Sequence, residues 1–265
     1  MLMDEVQGRF VEYLPRIPEQ HMHHVYRQIA KIVLQLRKVQ FPLIGLPQRD
    51  KDSTLYINGA VFEGYQRVDA FASAKEFYLT RTRRFSQHLL KTRPFDDDWV
   101  VLAWLYLQAI PLICPPEIES GPFPLRHPDL NNANLLYDDD YNIVAVIDWT
   151  ATQSAPLQSF VVPPNQFERV QFHRQRMLYI DTFEEVEREE NPDTPLTKLM
   201  RSPICEMTEL VDGYYGWTSF PDGYATRSGW LVFDGAIEWE QVRALYLKSP
   251  EAAGNVDKDI ASAVI

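Results

Sequence analysis

The sequence predicts a mainly α, α+β chain in which a small β-hairpin carries the residues best suited to chemistry. Three observations predict it. Val25, Ile29, Ile32, Val33, Leu36 and Val39 recur at the period of one buried helix face. Ser73 opens a second helix, with Glu76 three residues later in a capping-box pattern. Leu135-Leu136 and Ile143-Val144-Ala145-Val146-Ile147 are short apolar runs on either side of a polar turn, a hairpin signature.

The remaining elements follow in chain order. Met1 to Val6 reads as the end of a β-strand, after which Gly8 lets the chain turn. Ile17-Pro18-Glu19-Gln20 opens the first helix, which runs to about Gln40 and ends at Phe41-Pro42-Leu43-Ile44-Gly45. Residues 46–70 are loop-like. Within them Leu55-Tyr56-Ile57 and Ala60-Val61-Phe62 flank Asn58-Gly59, which predicts a two-residue hairpin. The helix after Ser73 reaches about Lys91, and its basic side (Arg81, Arg83, Arg84) is assigned to solvent. Trp99 to Cys114 is the longest apolar stretch. It is too short to span a bilayer, contains Gln108 and Pro111, and follows Asp96-Asp97-Asp98, so a buried helix over 97–113 is expected.

Beyond Asp148, Ala155-Pro156 and Val162-Pro163-Pro164 predict irregular structure. A polar helix is expected from about Asn165 to Glu190, its acidic run Glu184 to Glu190 forming a solvated face. Helical segments follow at 195–212 and 238–248, separated by an aromatic, glycine-containing stretch from Tyr214 to Trp230. Tyr214, Tyr215, Trp217 and Trp230 are read as core, and Glu206, Glu209 and Asp212 as helix surface. The tail 251–265 is small and polar and is expected to fray.

Composition narrows the function. The 265 residues can form one large domain or two small ones. A net charge of −11 argues against a nucleic-acid partner, which would call for a basic patch. Cys114 and Cys205 form no disulfide framework or metal motif and are read as buried thiols of a reducing compartment. Asp4 and Glu5 interrupt any signal-peptide core. A cytoplasmic protein with no membrane partner is therefore expected.

The chemistry concentrates between Leu125 and Trp149. A loop carries His127-Pro128-Asp129 with Asn134 five residues after the aspartate, and the second β-run ends at Asp148. Phosphoryl transfer needs a carboxylate to receive the acceptor's proton, and oxygen ligands for magnesium on the nucleotide phosphates. Asp129, Asn134 and Asp148 are of the right types in the right order. Asp138-Asp139-Asp140, between the two β-runs, is turn chemistry rather than a metal cluster. His21, His23, His24, His88 and His173 show no paired metal-ligand pattern.

With these residues the chain resembles the aminoglycoside phosphotransferase family, especially its fungal-type uncharacterised branch, which shares the protein-kinase-like fold. The resemblance rests on His127-Pro128-Asp129-Leu130 with Asn134, and on Ile147-Asp148-Trp149 where protein kinases have Asp-Phe-Gly. Three flanking segments agree: Ala155-Pro156-Leu157 with Val162-Pro163-Pro164, Leu2-Met3-Asp4-Glu5-Val6, and Phe41-Pro42-Leu43-Ile44-Gly45. It covers roughly residues 1–165.

The resemblance implies transfer of the ATP γ-phosphate to a hydroxyl of a small molecule, with ATP and Mg2+ as cofactors. It makes Asp129 the base and His127 the support of the catalytic loop. Asn134 and Asp148 become the magnesium ligands, and main-chain groups of Asp4, Glu5 and Val6 meet the adenine edge. Residues 1–8 become a remnant of the inter-lobe linker, 9–250 a helical C-terminal lobe whose β-hairpin carries the metal site, and 251–265 a flexible tail.

One departure qualifies this. The family's phosphate loop, its lysine and the partner glutamate lie upstream of the linker, and here the linker-like segment starts at Met1. A chain lacking the N-terminal lobe is therefore expected, with weakened ATP and Mg2+ binding and impaired catalysis. The alternative is an inactive pseudokinase, a binding module or a truncated gene product. The apolar surface facing the missing lobe would be open to a partner. The small-molecule acceptor is left open.

Overall fold

The computed structural model describes residues 6–11, 16–62, 66–92, 97–164, 173–190, 196–214, 232–233, 235 and 237–250. The expectations for Met1 to Glu5, for residues 165–172, for 215–231 and for the tail lie outside these. The chain is mainly helical with small antiparallel sheets, and it divides into two compact units. One comprises Met1–Ala74 with Ser120–Glu206, the other Lys75–Glu119 with Met207–Ile265.

In the first unit, helix α1 (Glu19–Lys38) buries Met22, Val25, Tyr26, Ile29, Ala30, Val33 and Leu34. Of the expected stripe, Val25, Ile29 and Val33 are buried, Ile32 and Leu36 are half-buried, and Val39, past the helix end, is exposed. The opposing face comes from α6 (His173–Glu190) through Tyr179, Ile180, Phe183 and Val186. Tyr26 and Tyr179 meet edge to face with centroids 6.0 Å apart. Above this seam Arg27 reaches Glu189 at 2.5 Å and Glu185 at 3.6 Å, and His23 Nε2 lies 2.9 Å from Glu185.

The acidic run is thus not simply a solvated face. Glu187 is buried, and its carboxylate accepts the Leu196 and Thr197 N–H groups at 2.5 and 3.1 Å and the Thr197 hydroxyl at 2.7 Å. It supplies acceptors for otherwise orphaned N–H groups at the start of α7 (Leu196–Met200).

The same unit contains the sheets. Strands β1 (Arg9–Phe10), β8 (Leu135–Tyr137) and β9 (Ile143–Val146) form one antiparallel sheet in the order β1-β8-β9. Strands β2 (Gln40–Phe41), β7 (Phe123–Arg126) and β10 (Gln153–Ser154) form another, with β7 central. Gly8 does not act as a turn. A Cβ there would lie 2.9 Å from both Leu136 Cβ and Val144 Cγ2, so glycine is required by close approach to the β8–β9 pair. Phe10 remains 58% exposed on this sheet.

The hairpin expected at Asn58-Gly59 is also corrected. Strand β4 (Leu55–Ile57) pairs backward with β3 (Pro47–Arg49), and β5 (Ala60–Phe62) pairs forward with β6 (Gln66–Val68). Asp50 Oδ1 closes the first hairpin by accepting the N–H groups of Asp52 and Thr54 at 2.9 and 2.8 Å. Gly59, at φ +62°, is the left-handed corner between the two hairpins, where a Cβ would meet the Val68 carbonyl oxygen at 2.3 Å. The local turn signal was real, but each flanking strand pairs with its other neighbour in sequence.

In the second unit, α3 (Asp97–Ile113) buries Val101 to Tyr106, Ala109, Ile110 and Ile113, as an all-round apolar helix must. The last described helix, α9 (Trp239–Leu247), sets Tyr246 against Trp104 at 5.8 Å, while Trp239 Nε1 donates to Asp98 at 3.2 Å. Helix α2 (Ala74–Thr92) corrects a surface assignment: Arg81 pairs with Asp212 at 2.6 Å, their side chains only 12% and 11% exposed. Arg83 and Arg84 are exposed. Asp212, read as helix surface, is therefore held by a cation of its own chain.

Cys114 and Cys205 are both buried and neither forms a disulfide. Among the described residues no helix is long and apolar enough to cross a membrane.

Candidate active site

The loop between β7 and β8 is built by short-range hydrogen bonds. The Asn131 side-chain oxygen accepts the Ala133 N–H at 2.8 Å, capping a 3₁₀ turn over Asn132–Asn134. The turn leads directly into β8, so Asn134 is held immediately before the strand's first residue, Leu135. Its amide nitrogen donates to the Asp129 main-chain carbonyl at 2.8 Å and to the Asp129 carboxylate at 3.0 Å. Two acceptors facing one end of the amide settle its orientation, with nitrogen toward Asp129 and Oδ1 away from it.

Strand pairing brings Asp148 to this place. Leu135 lies opposite Val146, and the next pair outward is tied by the Ile147 N–H donating to the Asn134 carbonyl at 3.0 Å. Asp148 therefore emerges one residue past the position opposite Asn134. Its backbone has φ +55°, a left-handed conformation that aspartate tolerates better than most residues. Its carboxylate is exposed. Hydrogen bonds from the Thr150 hydroxyl and main-chain N–H hold its pKa below the ordinary aspartate value.

His127 is buried and ties the two parts together. Its Nε2 lies 3.0 Å from the Ile147 carbonyl oxygen, and its Nδ1 accepts the Asp129 N–H at 3.2 Å. This pairing requires the proton on Nε2. The ring meets Trp149 edge to face at 5.0 Å, and Trp149 Nε1 donates to the Val146 carbonyl at 2.9 Å. Behind the loop, a cavity of about 30 Å³, roughly one water, is lined by Arg126, His127, Pro128, Leu130, Val33 and Tyr179 among others.

His127, Asp129, Asn134 and Asp148 thus occupy one connected hydrogen-bonded structure. Asp4 and Glu5 lie outside the described residues, and Val6, 44% exposed, precedes β1. Two participants were missed in the sequence: Asn131, whose amide donates to the Asp129 carboxylate at 2.5 Å, and Thr150 beside Asp148. Asn131 could have been noticed as an N-cap type two residues beyond the aspartate. Asp138 behaves as a turn residue. Its carboxylate accepts the Asp140 and Asn142 N–H groups and the Asn142 side-chain amide at 3.0, 2.8 and 2.8 Å. Among the described residues no group of three His, Cys, Asp or Glu side chains could hold a metal ion. A magnesium site of one carboxylate, one amide oxygen and substrate phosphates would not need such a group.

A mainly helical fold whose sheet edge unites an His-x-Asp loop, an asparagine and a second aspartate defines a kinase-like transferase class. Residues 2–158 match the phosphotransferase enzyme family, and the chain belongs to that family. No curated protein and no solved structure matches it.

Proposed function

We propose that this protein transfers the γ-phosphoryl group of ATP to a hydroxyl of a small molecule. The observation that carries the reading is the Asn134 amide. By donating to Asp129, it sets its own oxygen away from that carboxylate, at the strand end from which Asp148 emerges. One amide oxygen and one carboxylate held anionic by Thr150 suit Mg2+, which takes few protein ligands and completes its shell with phosphates and water. When bound, the metal supplies charge neutralisation to the phosphates.

The protein's own groups do the rest. Asp129 is exposed and receives the proton of the acceptor hydroxyl. The acceptor oxygen forms a bond to the γ-phosphorus, the bond to the bridging oxygen breaks, and ADP leaves with its electron pair. His127 keeps the loop and the Asp148 strand end in register through Asp129 N–H and Ile147 C=O.

Thermal denaturation with Mg-ATP tests this directly. A raised melting temperature, abolished by Asp148→Ala, is expected. Asp129→Asn should remove turnover while keeping the nucleotide-induced shift. Absence of any shift at millimolar nucleotide would overturn the reading in favour of an inactive binding module.

A further inference from the structure

The geometry points to Asn131 as a positioning residue that fixes the Asp129 carboxylate, an inference that rests on Asp129 being the base. Each polar group of Asn131 is used within the loop. Its N–H donates to the Asp129 carbonyl at 2.9 Å, and its carbonyl accepts the Asn134 N–H at 2.9 Å. Its Oδ1 accepts the Ala133 N–H at 2.8 Å, and its Nδ2 donates to Asp129 Oδ1 at 2.5 Å. The last two bonds determine the amide's orientation, since a flip would face oxygen to carboxylate and N–H to N–H.

Asp129 Oδ2 takes the Asn134 amide at 3.0 Å. The carboxylate thus accepts a separate side-chain N–H on each oxygen, from residues two and five positions downstream. An exposed aspartate otherwise rotates freely about χ1 and, more broadly, χ2. Donors on different oxygens restrain both rotations. A base works only within hydrogen-bond reach of the acceptor's proton, so loosening it lowers turnover and spares nucleotide binding.

Asn131 also caps the 3₁₀ turn, and the variants must separate the two roles. Asn131→Ser keeps a capping oxygen of similar quality and removes the amide donor without adding a charge beside Asp129. It is expected to lower kcat by about 10-fold or more with the KM for ATP and the melting temperature unchanged. Asn131→Ala should lower the melting temperature as well. A kcat for Asn131→Ser equal to wild type, or a loss expressed only in KM, overturns the assignment.

A second measurement is independent of turnover. In full-length ¹⁵N-labelled protein, Asp129→Ala should move the Asn131 side-chain amide resonances. Resonances indifferent to that change overturn the clamp whatever the activity. A wild-type protein without turnover overturns Asp129 as base and leaves the clamp to be decided by the resonances.

Discussion

His127 Nε2 lies 3.0 Å from the main-chain oxygen of Ile147, 20 residues away, while its Nδ1 takes the Asp129 N–H. One imidazole thereby joins the loop bearing the proposed base to the strand end bearing the proposed metal ligand.

Replacing that ring with His127→Phe retains an aromatic edge against Trp149 but leaves the Ile147 carbonyl and the Asp129 N–H without their partner. A destabilisation of about 1–3 kcal/mol is expected, the cost of unmade bonds at a buried site. Urea denaturation measures it, and an unchanged midpoint and slope would mean the tie contributes nothing.

Thr150→Val removes the hydroxyl that most strongly depresses the Asp148 pKa, which should then rise toward the ordinary aspartate value. The sign for stability follows. Because the folded-state value lies below the unfolded one, the contribution is complete above about pH 3.9, the unfolded value. It is lost as pH falls through the depressed folded value. The stability gap between wild type and variant should therefore narrow on acidification from pH 7 to below that range. A gap that widens would contradict the Thr150 hydrogen bonds, and NMR titration of Asp148 gives the direct reading.

Gly8→Ala places a methyl group 2.9 Å from Leu136 Cβ and Val144 Cγ2. The exposed Val144 side chain can rotate aside, but Leu136 Cβ cannot yield without moving the strand that follows Asn134. A loss of about 1–3 kcal/mol, typical of overpacking, is expected in chemical denaturation. Wild-type stability in this variant would show that β1 shifts freely away from β8.

Much of the fold was legible because it rests on local signals. The stripe from Val25 to Leu36 gave α1 within about two residues at each end. Asp96-Asp97-Asp98 ahead of a continuous apolar run marked α3, which spans Asp97–Ile113. The hairpin around Asp138 was visible in two apolar runs joined by turn residues. What failed depended on partners outside the local pattern. Gly8 looked like a turn because its role comes from Leu136 and Val144. Asn58-Gly59 looked like a hairpin because β3 and β6, the strands that claim its flanks, carry little β-propensity. Arg81 and Asp212 each looked like surface residues until folding set them 2.6 Å apart.

The sequence by itself determined the family, the order of helices and the residue types at the candidate site, since these depend on short spacings and periodicity. Only the tertiary structure decided how those types become a site. The antiparallel register sets Asn134 across from Ile147, and His127 bridges the loop to that strand. Two asparagine amides then fix one carboxylate. Register and hydrogen-bond direction depend on how the loop and the strands around it pack, and spacing along the chain carries no record of them.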